Sequence, residues 1–222
     1  NCDTVIESNS DIDFDNGYTP GNLIGQDGWV VGEANGTTSA SGMDVVSGVG
    51  LSGSDALVNA ASYEHAAINV GTFVDGDQIN VMFQLNTNSD FAELWVGNAK
   101  HFDGLVSNEV SLHLEMGRTT GDLYYYTLIT DSPARVVMAG GPLGSESGQM
   151  GDWAEVRLTL SDSGGANGID GAAVHARNIT TASAWQYLGD IPLNTSGIGN
   201  NDLYVVLGGS GARFDNLTID HC

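Results

Sequence analysis

Alternation places the side chains of this 222-residue chain that could do chemistry. Short runs of β-branched, aromatic and aliphatic residues at period two put one set of side chains on an apolar face and the next on the opposite one. The set opposite the apolar face comprises Glu93 and Trp95, His113 and Glu115, Tyr124 and Tyr126, Glu155 and Arg157, and His175 and Arg177. Carboxylates, imidazoles and phenols exchange protons and can serve as general acids or bases. Guanidinium groups make paired, charge-assisted hydrogen bonds to carboxylate or sulfate, and flat rings offer apolar faces for stacking. Arg157 and Arg177 also have a structural alternative, pairing across a sheet with Glu155 or Glu115.

Several other chemistries fail on spacing. His65, His101, His113, His175 and His221 have no metal-ligand spacing, and two cysteines, Cys2 and Cys222, cannot form a redox CxxC or a zinc cluster. The glycine-rich run 140–148 lacks the strand-to-helix context of a phosphate cradle. Sequons at Asn35, Asn178, Asn194 and Asn216 are what chance gives in a chain rich in Asn and Thr.

The elements that carry these residues are all strands. Ile79, Val81, Phe83 and Leu85 share one face; Leu94 and Val96 oppose Glu93 and Trp95; Val110, Leu112, Leu114 and Met116 oppose Ser111, His113 and Glu115. The runs 110–116 and 123–129 flank a Thr-Thr-Gly-Asp break and predict a hairpin. Further strands are predicted over 43–46, 153–160, 172–179, 184–188, 203–207 and 214–219, while glycines and Pro20 punctuate the first forty residues as turns. A glycine-rich loop over 139–151 is longer than a plain connection needs. Regular short strands without helical periodicity predict an all-β fold: one two-sheet antiparallel β-sandwich, of jelly-roll type, over residues 1–222.

Composition narrows the partners. Hydrophobic residues make up 41% of the chain, enough for a large core, and 28 acidic residues against six Lys and Arg give a formal charge of −22. Such a surface repels phosphate backbones and anionic membranes, which argues against nucleic acid as a partner. No apolar run approaches the roughly 20 residues of a membrane span, and abundant carboxylates suit Ca²⁺.

Both ends carry a resemblance. Phe14-Asp-Asn-Gly-Tyr-Thr-Pro-Gly-Asn-Leu-Ile-Gly-Gln-Asp-Gly-Trp29 resembles the opening of laminin-G-like jelly-roll domains of bacterial extracellular proteins. Arg213-Phe-Asp-Asn-Leu-Thr-Ile219 resembles the closing strand of the concanavalin A-like lectin/glucanase superfamily, and Trp153 to Leu160 resembles another of its strands. The resemblance implies a secreted β-sandwich whose terminal strand lies beside the N-terminal segment. It implies a Cys2–Cys222 disulfide, and a structural Ca²⁺ held by Asp13 or Asp15 together with Asp215. It also implies a glycan-binding sheet face, because sugars take flat rings for their C–H patches and carboxylates, amides or guanidinia for their hydroxyls. On that reading Trp95, Tyr124 and Tyr126 are stacking platforms, and His113, Glu115, Arg157 and Arg177 are polar partners. The Glu-x-Asp-x-x-Glu pattern of the superfamily's laminarinases and the motifs of its alginate lyases are missing. The leading expectation is therefore a secreted polysaccharide-binding domain, free or part of a larger secreted protein. A polysaccharide lyase or glycoside hydrolase is the first alternative, and an extracellular matrix or filament subunit the second.

Overall fold

A computed structural model describes residues 10–34, 43–59, 64–85, 90–97, 101–102, 111–116, 123–127, 134–137, 151–164, 168–192 and 203–222. Among them the regular elements are strands and one 3-10 turn, Leu51–Gly53. The first strands in chain order are β1 (Ser10–Asp13), β2 (Gly21–Asn22), β3 (Val30–Ala34), β4 (Met43–Val46), β5 (Ala56–Asn59) and β6 (Glu64–Gly71). There follow β7 (Gln78–Gln84), β8 (Phe91–Gly97), β9 (His101–Phe102), β10 (Ser111–Met116), β11 (Leu123–Thr127) and β12 (Ala134–Val137). The last five are β13 (Trp153–Ser161), β14 (Gly171–Asn178), β15 (Gln186–Pro192), β16 (Leu203–Ser210) and β17 (Arg213–Asp220).

Two sheets result. Sheet A has the order β15-β14-β13-β7-β17-β5-β4-β2, with β1 added on β17; sheet B has the order β12-β11-β10-β8-β16-β6-β3-β9. Neighbours pair antiparallel, apart from a two-residue parallel contact between β3 and β9. This is the antiparallel jelly-roll sandwich that the alternation predicts. Ile79, Val81 and Phe83 of sheet A meet Leu94, Val96, Leu112 and Leu114 of sheet B in one buried core, which Val156, Leu158, Val205 and Phe214 help to fill. The period of two puts every second side chain on this face. It leaves the intervening residues on the two outer faces, where the candidate chemistry lies.

The opening motif is a tied loop. Gln26 accepts from the Thr19 amide and donates to the carbonyls of Thr19 and Asn22. Trp29, fully buried, donates from Nε1 to the Tyr18 hydroxyl at 3.0 Å and packs near Phe14. Gly25 and Gly28 take φ of 91° and 83°, a region closed to most side chains. The motif therefore plugs one end of the core, and its glycines serve the turn that carries Trp29.

Among the turns of the first forty residues the chain also forms β1, β2 and β3. These strands are too short to show a period between their glycines. The strand expected at 184–188 runs instead over Gln186–Pro192, after a turn in which Ala182 has a φ of 52°. Cys2, the sequons at Asn35 and Asn194, and the loop up to residue 150 lie outside the described residues.

Candidate functional site

Sheet B carries two adjacent cross-strand rows on its outer face. In the first, Tyr126 stands opposite His113, His113 opposite Trp95, Trp95 opposite Val206, and Val206 opposite Ala67. In the second, Tyr124 stands opposite Glu115, Glu115 opposite Glu93, Glu93 opposite Gly208, and Gly208 opposite His65. Five of the predicted site residues, Trp95, His113, Glu115, Tyr124 and Tyr126, thus share one face on three consecutive strands. For Tyr124 and Tyr126 the register places the backbone; their side chains lie outside what the structure describes.

The face is not open. Trp95, His113, Glu115, Glu93 and His65 are all buried. Trp95 packs with Ala67 and Val206 in an apolar cluster distinct from the main core, so its side of the sheet is as predicted. Its indole stacks on His65 at 4.5 Å between ring centroids and meets His113 edge-on at 4.9 Å. The expected exposed stacking platform is therefore, at Trp95, a wedge between two imidazoles.

Glu93 is the centre of the cluster. Its Oε2 lies 2.5 Å from His65 Nε2, and its Oε1 lies 3.4 Å from His113 Nε2. Burial alone would raise the pKa of Glu93, but hydrogen bonds and charge from His113 and His65 outweigh it and lower the pKa to about 2. The carboxylate accepts from His65 Nε2, so His65 carries a proton on that nitrogen. Gly208 makes this possible. A Cβ at 208 would overlap the His65 ring, lying 2.6 Å from Nε2. His65 crosses strand β16 to reach Glu93 only because that strand has no side chain at this point.

Glu93 belongs to the outward set that alternation identifies but not to the predicted site, and His65 carries no spacing signal of its own. The long stretch of chain between His65 and Gly208 leaves no local mark of their contact; the one legible signal is a histidine on a strand and glycines on another.

Arg157 and Arg177 do not join this face. They project from the outer face of sheet A, on β13 and β14. Arg177 pairs with Glu155 through Nε and Nη2 at 2.6 and 2.5 Å, the structural alternative foreseen for it. Arg157 donates from Nε to Asn80 Oδ1 at 2.7 Å. The seven predicted ligand residues are thus divided between two faces on opposite sides of the core.

The predicted metal ligands lie around the junction of β1, the 3-10 turn and β17, each with partners of its own. Buried Asp215 accepts from the Leu51 amide at 2.5 Å and the Ser54 hydroxyl at 2.8 Å, and Asp15 accepts from the Asp55 amide. Asp13 accepts from Asn16. Burial raises the pKa of Asp215, the Leu51 and Ser54 donors oppose that, and the negative charges of Asp15 and Asp13 raise it further. Carboxylate oxygens are hard donors of the kind that Ca²⁺ takes. Among the described residues no group of three or more His, Cys, Asp or Glu is placed so that it could hold a metal ion.

No protein-family model matches the chain, and no curated protein matches it. Solved structures do share its fold. A Bacteroides ovatus mixed-linkage glucan GH16 protein in complex with product is similar over 95% of this chain and 97% of its own, with a TM-score of 0.55 and 12% identity. LamAcat of Zobellia galactanivorans is similar over 99% and 98%, with a TM-score of 0.54 and 9% identity. An alginate lyase in complex with an alginate tetrasaccharide is similar over 98% of each chain, with a TM-score of 0.53 and 14% identity.

Proposed function

Starting from a chain with the jelly-roll fold of the concanavalin A-like lectins and glucanases, we propose that it is a secreted polysaccharide-recognising domain whose ligand face is the outer face of sheet B. The observation that carries this reading is the carboxyl group of Glu93, buried on the side of the sheet away from the core between two histidines. A buried ionic cluster is a poor way to gain stability compared with apolar residues of the same volume, and groups with strongly shifted pKa values concentrate at functional sites. His113 and Glu115 offer polar partners for sugar hydroxyls, and the backbone register sets Tyr124 and Tyr126 beside them. Trp95 acts here by holding both imidazoles. Proteins of the same fold that act on or bind glucan and alginate support the choice of polysaccharide.

One observation favours a second reading, cleavage of the bound chain. Glu115 stands directly opposite Glu93 on the neighbouring strand, and cross-strand neighbours set their Cβ atoms about 5 Å apart. Glycosidic hydrolysis uses two carboxyl groups roughly 5–10 Å apart, a span within reach of side chains that start from neighbouring Cβ atoms. Affinity electrophoresis through neutral and acidic polysaccharides, with reducing ends and unsaturated-uronate absorbance followed in parallel, tests both readings. Tyr126→Ala is expected to weaken binding about tenfold at unchanged melting temperature, the size of one lost stacking ring. Binding equal to wild type would remove sheet B as the ligand face. Product formation abolished by Glu115→Gln would replace recognition by catalysis.

Two fastenings belong to the same proposal: Ca²⁺ at Asp13, Asp15 and Asp215, and the Cys2–Cys222 disulfide. Ser10 lies opposite Ile219 in the antiparallel β1–β17 pair, so the start of β1 lies beside the end of β17. Both fastenings favour the folded state, the metal by mass action and the bridge by restricting the unfolded chain. One melting series tests both. Chelator and reductant should each lower the melting temperature, and Asp215→Ala should be indifferent to chelator. A curve unmoved by either agent would discard that fastening.

A further inference from the structure

We propose that the outer face of sheet A along β15 is a second glycan-contact track, for a polysaccharide bearing carboxylate or sulfate groups. It is separate from the face of sheet B, and rests on the proposed function only for the class of partner. Its centre is Trp185, half-buried, with the guanidinium carbons of Arg157 and Arg177 at 4.2 and 4.5 Å from its ring. Arg157 stands two strands away from β15 in the order β15-β14-β13. The indole therefore leans back across β14 to reach both groups.

Each arginine is held in place from the other side. Asn80 accepts from Arg157, and Glu155 takes two nitrogens of Arg177. The terminal nitrogens of Arg157 have no hydrogen-bond partner among the described residues. They remain donors in the paired geometry that suits carboxylate and sulfate oxygens. A second ring follows on the same side of the edge strand. Tyr187 is 58% exposed, one of two large hydrophobic residues so exposed among the described residues. It stands opposite His175, with their rings 5.2 Å apart. Residues two apart on a strand are separated by roughly 7 Å, so Trp185 and Tyr187 can serve neighbouring sugar units of an extended chain.

Charge points to the kind of ligand. The chain has six Lys and Arg, and three of them, Arg157, Arg177 and Arg213, project from this one sheet face, where Arg213 donates to Gln84. Placing half of a scarce cationic complement on the face with an exposed ring suits an anionic ligand of low charge density. The net charge of −22 opposes a densely charged polyphosphate over long range, whereas an acidic glycan is repelled less and salt screens the remainder within about 10 Å.

The test is affinity electrophoresis with sodium alginate and with dextran sulfate as probes, at two salt concentrations. Wild type should be retarded by at least one probe, less so at high salt. Trp185→Ala and Arg157→Gln should each weaken that retardation about tenfold with melting temperatures near wild type. The arm that binds identifies carboxylate or sulfate as the recognised group. No retardation by either probe overturns the inference. So does retention of polyanion binding by Trp185→Ala, or loss of it in Tyr126→Ala alone, which would assign the polyanion to sheet B.

Discussion

Gly208→Ala is expected to cost about 3 kcal/mol of stability, a large effect for one methyl group. The added Cβ would overlap the His65 ring, and that ring cannot retreat. It is fully buried, stacked on Trp95 and bound to Glu93 at 2.5 Å. Overpacking a tight site costs about 1–3 kcal/mol, and turning His65 away would leave a buried carboxylate short of a donor, about 1–3 kcal/mol more. In a domain of this size the shift in melting temperature is roughly 6–12 °C. Chemical denaturation of a double-mutant cycle isolates the cause. In a His65→Ala background the same glycine substitution should cost less than about 1 kcal/mol, because the ring it strikes is gone. Equal costs in the two backgrounds would mean that Gly208 serves something other than the passage of His65.

The second large effect is a pH dependence that belongs to Glu93. Its pKa in the folded protein is about 2, against 4.5 for the free side chain. A carboxyl with a lowered folded pKa contributes its full stabilisation above the unfolded value, and loses it as pH falls through the folded one. The window is therefore from about pH 4.5 down to about pH 2, and the contribution is roughly 3 kcal/mol. The groups facing Glu93 are His65 on β6, His113 and Glu115 on β10, and Trp95 on its own strand. Glu93→Gln should be less stable than wild type by about that amount at neutral pH and equal to it near the lower end of the window. Asp215, whose pKa is raised, contributes in the opposite direction, but it is present in both proteins and cancels in the difference. A difference that stays constant across the window would mean that Glu93 is not buried as an anion.

Much of the fold was legible because period two is a local property. Leu94 and Val96 against Trp95, and Leu112 and Leu114 against His113 and Glu115, divide between the main core and the outer face as alternation requires. What alternation cannot give is the sheet to which a strand belongs. Arg157 and Arg177 have the same parity as Trp95 and His113, yet their strands lie in sheet A, so the residues predicted together divide between two faces. Nor does parity give exposure, since Glu93 and Trp95 point away from the core and are still buried. The His65–Glu93 contact depended on a third strand, with a glycine at the crossing point. Such a three-strand coincidence appears only once the register of β6, β16 and β8 is known. Trp185 fell within the strand expected at 184–188, but a local period could not show that its ring meets Arg157 and Arg177 from other strands.

The order of strands within the sheets bears on how the molecule comes to exist. β17 lies between β7 and β5 in the middle of sheet A, and β16 lies between β8 and β6 in the middle of sheet B. The last two strands in the order of this sequence are thus central to both layers, and the earlier strands wait on either side of a gap. Neither sheet can close before β16 and β17 are available to pair with their neighbours. Their partners lie up to nearly the full length of the chain away, as in the pairing of Ser10 with Ile219. A topology dominated by such distant pairings folds slowly and exposes unpaired strand edges while it waits. In that interval a net charge of −22 acts between copies as well, because like charges repel one partly folded chain from another.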